Sequence, residues 1–194
     1  MPSKTLRQVA KAVSILGHPL LTISVLVYYL SHRELPSWKA DIVSGIIIGG
    51  IAVPIILHNA WKTGRGKYAN FDVSDQGQRR GFFIFVMGLL AVVSLYCWWM
   101  QITTALVYSM WIFWVMVAVF AIVNRKYKIS LHAGVNFYIA AILLPYGWES
   151  GLCVLLLAVL VAASRLVLGR HTLFEIVVGA SIGFAFGWVN TILL

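Results

Sequence analysis

Residues 81 to 124 run for forty-four positions without a single Asp, Glu, Lys, Arg or His. About 20 apolar residues carry a helix across the ~30 Å hydrocarbon core of a bilayer. The stretch is therefore too long for one crossing and right for two, with the break expected where polar residues cluster, Met100 to Thr104. The rest of the chain agrees: of 194 residues 61% are hydrophobic and 11% charged, with a mean hydropathy of +0.89. A water-soluble domain of this length could not hide so much apolar surface, which excludes most soluble enzyme folds. The expected fold class is an all-α integral membrane protein, a bundle of six to seven transmembrane helices.

Measured against the same length, Ala12 to His32 predicts a first crossing and Ile42 to Trp61 a second. The second carries Gly45 and Gly49 at a spacing that suits close helix packing, and Pro54 as a kink. Ile129 to Leu144, Gly151 to Leu168 and His171 to Leu194 complete a count of seven. Lys4, Arg7 and Lys11 ahead of an apolar run imitate a signal peptide, but the uncharged stretch is too long and no Ala-x-Ala site follows, so a spanning helix is expected. Trp61, Trp98, Trp99, Trp148 and Tyr28 fall near helix ends, as interfacial belts require. Cys97 and Cys153 lie in apolar runs without metal-ligand spacing and read as small packing residues. The whole chain, 1–194, reads as one transmembrane domain with a basic segment at 1–11 and a polar loop at 62–80.

The charge is unbalanced, fifteen Lys and Arg against six Asp and Glu, for a net +9. Counting crossings sorts thirteen cations onto the face holding the N-terminus, the 62–80 loop, residues 124–128 and the 165–171 junction, leaving Arg33 and Lys39 on the other. The positive-inside rule makes the cationic face cytoplasmic, and the expected location is a bacterial cytoplasmic membrane.

Ionisable residues at the edge of such apolar segments are candidates for function. One group is Ser164, Arg165, Gly169, Arg170, His171 and Glu175; the others are Ser130 with His132, and Gln78 with Arg79 and Arg80. His171 and Glu175 stand at i and i+4, so a carboxylate can hold one ring nitrogen and leave the other to act as nucleophile or base. Arginine binds phosphate oxygens bidentately and keeps its charge, and two imidazoles can share attack on phosphorus and protonation of the leaving oxygen. Together these form a minimal set for metal-free phosphoryl transfer. Arg79 and Arg80 also suit topology anchors, and His132 a helix cap. A zinc site from His132, His171 and Glu175 is disfavoured because the surrounding arginines repel a cation.

Ser164-Arg165, five residues, His171, three residues, Glu175 resembles the third signature of the type 2 phosphatidic acid phosphatase superfamily, SR-x5-H-x3-D, with Gly169, Gly179 and Gly183 agreeing further. Ser130-Leu131-His132 resembles the second, Pro-Ser-Gly-His, with Ile129 for proline and Leu131 for glycine. Arg80 resembles the arginine of the first, K-x6-RP, with Val73 at the lysine and Gly81 at the proline. The resemblance covers 79–183. It implies a metal-free, cofactor-free phosphatase of lipid phosphates or prenyl diphosphates, in which His171 forms a phosphohistidine, His132 is the general acid and Glu175 orients His171. Arg80 and Arg165 would hold phosphate, Ser130 would add a donor, and Arg79, Lys67 or Lys128 would replace the missing lysine. The expected partners are the lipid phosphate and membrane lipids, not nucleic acid. The alternatives are a catalytically degenerate lipid-phosphate binder and, fitting less well for want of internal repeats or mid-helix charges, a transporter.

Overall fold

A computed structural model describes residues 2–193. Among them are eight α-helices and no strand: α1 Lys4–Leu16, α2 Pro19–Glu34, α3 Ser37–Gly64, α4 Gln78–Trp99, α5 Thr104–Val123, α6 Leu131–Leu143, α7 Trp148–Val167 and α8 Leu173–Leu193. A 3-10 turn, Leu144–Tyr146, joins α6 to α7. The uncharged 81–124 stretch is a hairpin broken where expected, between Trp99 and Thr104, with Gln101 in the left-handed region at φ 53°. Helices α3, α4, α5, α7 and α8 are long and apolar enough to cross a membrane.

Three expectations need correction. The first crossing starts at Lys4 instead of Ala12 and is broken by a 41° bend between α1 and α2. Gly17 closes α1 by donating to the Val13 carbonyl, Pro19 has no N–H to continue the ladder, and His18 Nδ1 accepts from the Leu20 N–H at 3.2 Å instead. The count of long apolar helices is five, or six with the bent pair as one span, not seven. The predicted fifth crossing, α6, has only 13 residues, about 20 Å at 1.5 Å per residue. Ten of those residues are buried, so α6 meets protein on most sides and need not match the bilayer. Finally, a Cβ on Gly45 or Gly49 would meet nothing within 4 Å, so these glycines mark no close contact.

The chain forms two compact units, Met1–Ile23 with Tyr127–Leu194, and Ser24–Lys126. In the first, α6 lies at the centre and packs chiefly on α8, then on α7, while α1 packs on α7. Its close contact comes from Gly179, Gly183 and Gly187, one per helical turn along α8. Cβ atoms there would sit 2.7, 1.9 and 2.4 Å from the carbonyl oxygens of Ser130, Gly134 and Tyr138. Both series advance by four residues, so α6 and α8 run parallel with their starts at one edge. In the second unit α4 packs against α3 and α5; His58 stacks on Phe85 with ring centroids 4.1 Å apart. Trp114 Nε1 donates to the Met87 carbonyl at 3.0 Å. The expected belt residues Trp61, Trp98, Trp99, Trp148 and Tyr28 are all exposed.

Replacing Gly183 by Ala forces a methyl into the α6 backbone and is expected to destabilise the protein by about 3 kcal/mol or more, as overpacked cores do. Gly45→Ala, in open space, should leave stability unchanged or raise it by up to ~1 kcal/mol through helix propensity. Thermal inactivation midpoints in detergent check the pair, and equal shifts would contradict the α6–α8 packing.

Candidate functional site: an imidazole and guanidinium cluster at the α7–α8 turn

The Ser164 to Glu175 segment is a helix end, a turn and a helix start, each closed by its own hydrogen bonds. Leu168 caps α7 and Gly169 follows at φ 64°, a conformation glycine adopts without cost. The Gly169 N–H donates to the Leu166 carbonyl at 2.9 Å and the Arg170 N–H to the Arg165 carbonyl at 3.0 Å, the pair of bonds of a Schellman end. Thr172 and Glu175 then start α8 as a capping box. The Thr172 hydroxyl accepts from the Glu175 N–H at 3.3 Å, and Glu175 Oε2 accepts from the Thr172 N–H at 3.0 Å.

His171 sits in the turn between these closures, ahead of α8 instead of on it. Its Nδ1 lies 3.0 Å from the Lys128 carbonyl oxygen and 3.1 Å from Glu175 Oε2, both acceptors. Nδ1 therefore carries the hydrogen and donates, which puts the basic lone pair on Nε2. The His171 side chain is 1% exposed. Glu175 thus does two things with one oxygen, starting α8 and setting the tautomer of His171; its length reaches the ring as the i, i+4 spacing requires.

The strip from Lys128 to His132 runs alongside. The Ser130 N–H donates to the Glu175 carbonyl at 3.1 Å, and Ser130 Oγ caps α6 by accepting from the Ala133 N–H at 3.3 Å. His132 is buried in the first turn of α6. Lys128 Nζ donates to the Arg170 carbonyl at 3.1 Å, tying the strip to the turn. Arg165, 2% exposed in the last turn of α7, donates from Nη1 to Ser14 Oγ at 2.6 Å. The start of α8 and the start of α6 both direct N–H groups and a positive dipole end to this edge, an environment that favours an anion.

Arg79 and Arg80 belong to the second unit. Arg79 is buried and its Nε donates to the Val73 carbonyl at 2.9 Å, bracing the 65–77 loop. Val73 itself is 1% exposed at φ 48°, a strained backbone for a β-branched residue. A lysine at that position would have to bury its charge. Burial also pushes the Tyr68 phenol in this loop above its ordinary pKa. Arg80 is exposed and, with Arg125 and Lys126, borders a cavity of about 1050 Å³ whose walls include Phe83, Ile84 and Met87. Lys67 lies over the Trp61 ring, 5.5 Å from its centroid, together with Lys62 and Arg65.

Sequence reasoning passed over Ser14, His18, Asn136 and Thr172. The signals were present: Gly17-His18-Pro19 interrupts an apolar run, and Thr172-x-x-Glu175 is a capping-box pattern. Asn136, one turn beyond His132, donates through Nδ2 to the Gly17 carbonyl at 2.9 Å and the His132 carbonyl at 2.8 Å.

Residues 124–193 match the PAP2 superfamily. The matched segment takes in α6, α7 and α8, the helices around His132, Arg165, His171 and Glu175, and stops short of α1 to α5. A lipid A 4'-phosphatase of Helicobacter pylori (strain J99) is 38% identical over 63 residues, covering 32% of this chain and 32% of that protein. The chain thus aligns with about a third of the length of this curated relative. No solved structure matches the chain.

Ser14→Ala would leave the buried Arg165 guanidinium without its hydroxyl partner in the PAP2 segment. The expected loss is about 1–3 kcal/mol, the cost of a buried donor left unmade, read as a lowered thermal midpoint; Ser14→Thr, which keeps the hydroxyl, should recover most of it.

Proposed function

We propose that this chain is an integral membrane phosphatase that hydrolyses a lipid phosphate through a phosphohistidine on His171, without a metal. The observation that carries the reading is the bond from His171 Nδ1 to Glu175 and the Lys128 carbonyl, which fixes the tautomer a nucleophilic imidazole needs. Nε2 uses its lone pair to form a bond to phosphorus as the bond from phosphorus to the ester oxygen breaks. His132 supplies the proton that this oxygen takes up. Water then attacks the phosphohistidine, His132 accepts its proton, the N–P bond breaks, and phosphate leaves. Arg165 holds the non-bridging oxygens and Ser130 is a further donor, and the resemblance to the first signature assigns Arg80 a phosphate contact as well. Arg79, held to Val73, serves the loop, and contributes to the substrate only through it.

The substrate class proposed is a monophosphate or diphosphate ester with an apolar tail, among them prenyl diphosphates, phosphatidate and phosphatidylglycerophosphate. The named activity of the Helicobacter relative adds phosphorylated lipid A. Phosphate release from this panel in detergent should be clear for the wild type and reduced at least a thousandfold in His171→Ala, since losing a nucleophile removes the covalent route. Equal activity of the variant would sink the assignment. Saturable lipid binding with no release by either protein would give the non-catalytic binder instead.

The cation asymmetry supports a cytoplasmic 62–80 loop. A reporter inserted at Asn70 should read cytoplasmic, and a periplasmic signal would refute that orientation.

A further inference from the structure

The break between α1 and α2 is docked at three points onto the helices that bear the site. Ser14 accepts from Arg165 at 2.6 Å. Gly17 presents its carbonyl to Asn136 and lies so close to α7 that a Cβ would meet a Val161 methyl at 2.0 Å. His18 then sets its ring against that of His132, centroids 5.1 Å apart and planes at 84°. Asn136 also holds the His132 carbonyl, so one side chain fixes the backbone of the α1 end and of the α6 start together. The His18 ring is itself oriented: Nδ1 accepts from the Leu20 N–H, so the hydrogen of the neutral ring sits on Nε2.

We propose that His18 is a positioning residue for His132, an imidazole outside the PAP2 segment that holds the general acid in its proton-donating orientation. This rests on the phosphatase reading. A perpendicular ring packed on His132 limits the rotation of a side chain that must aim one N–H at the leaving oxygen. The bond from the Leu20 N–H to Nδ1 holds the His18 ring at the angle at which it meets His132. In the step it serves, Nε2 of His171 bonds to phosphorus, the ester P–O bond breaks, and the oxygen keeps that electron pair and takes the His132 proton. His18 itself gives up and gains nothing.

The informative variant is His18→Asn. Asparagine caps helices well, so the Leu20 N–H keeps an acceptor while the ring is lost; His18→Ala removes both. Single-turnover release of the leaving group, which reads the first step alone, is compared for dioctanoyl phosphatidate and p-nitrophenyl phosphate in detergent. An alkoxide needs the proton from His132, whereas p-nitrophenolate leaves as a stable anion. With an unchanged thermal midpoint, His18→Asn should slow the phosphatidate reaction about tenfold or more, part of the range general acids supply, with little change in KM. The p-nitrophenyl reaction should stay within about twofold of wild type. Equal losses on both substrates, or losses that track a lowered midpoint, would show a structural cap only and overturn the proposal. So would a His18→Asn protein as fast as wild type on phosphatidate. A wild type inactive on both esters overturns the phosphatase reading, and this inference with it, a result distinct from an active wild type with an indifferent position 18.

Discussion

Backbone lies against backbone where α8 passes α6, and the rest of the site depends on that contact. In lipid there is little hydrophobic drive for one apolar helix to choose another, so close approach through small residues decides which helices pair and in what register. Gly179, Gly183 and Gly187 meet the carbonyls of Ser130, Gly134 and Tyr138 at matching steps, and a slip of either helix would set a side chain against a main chain. Because the register is fixed by main chain, the starts of both helices are brought to the same edge. The Ser130 N–H then finds the Glu175 carbonyl, and the Lys128 carbonyl finds His171.

That edge gathers positive ends. Two helix starts, a buried guanidinium and two buried imidazoles meet there, and Glu175 is already committed to His171 and to the Thr172 N–H. Burying cations this way is expensive unless an anion or strong dipoles answer them. Ser14 and the main-chain carbonyls answer part of the demand. The phosphate of the proposed substrate would answer the remainder with the geometry arginine prefers.

Much of this could be read from the residues. The apolar lengths located α3 to α5, α7 and α8 to within a few positions, because a bilayer imposes a length that composition records directly. The i, i+4 relation of His171 and Glu175 foretold their contact. Other parts were hidden for stated reasons. α6 is as apolar as a spanning helix, yet is buried by protein, and hydropathy does not tell protein from lipid. Gly45 and Gly49 have the spacing of a packing pair and face open space, since spacing alone does not say that a partner is there. His18 looked like one polar residue in a first crossing, and only the fold of α1 against α6 and α7 brings its ring to His132, 114 positions away.

The α7–α8 turn works as a ruler. Its five residues between Arg165 and His171 are counted out by hydrogen bonds, two main-chain bonds that end one helix and two side-chain caps that begin the next. Adding or removing one residue would turn α8 by about 100° about its axis, carrying Glu175 off the imidazole and the three glycines off the α6 carbonyls in a single stroke. Side chains within the turn are therefore freer to vary than their number. Length, more than identity, is what the turn transmits from Arg165 to His171.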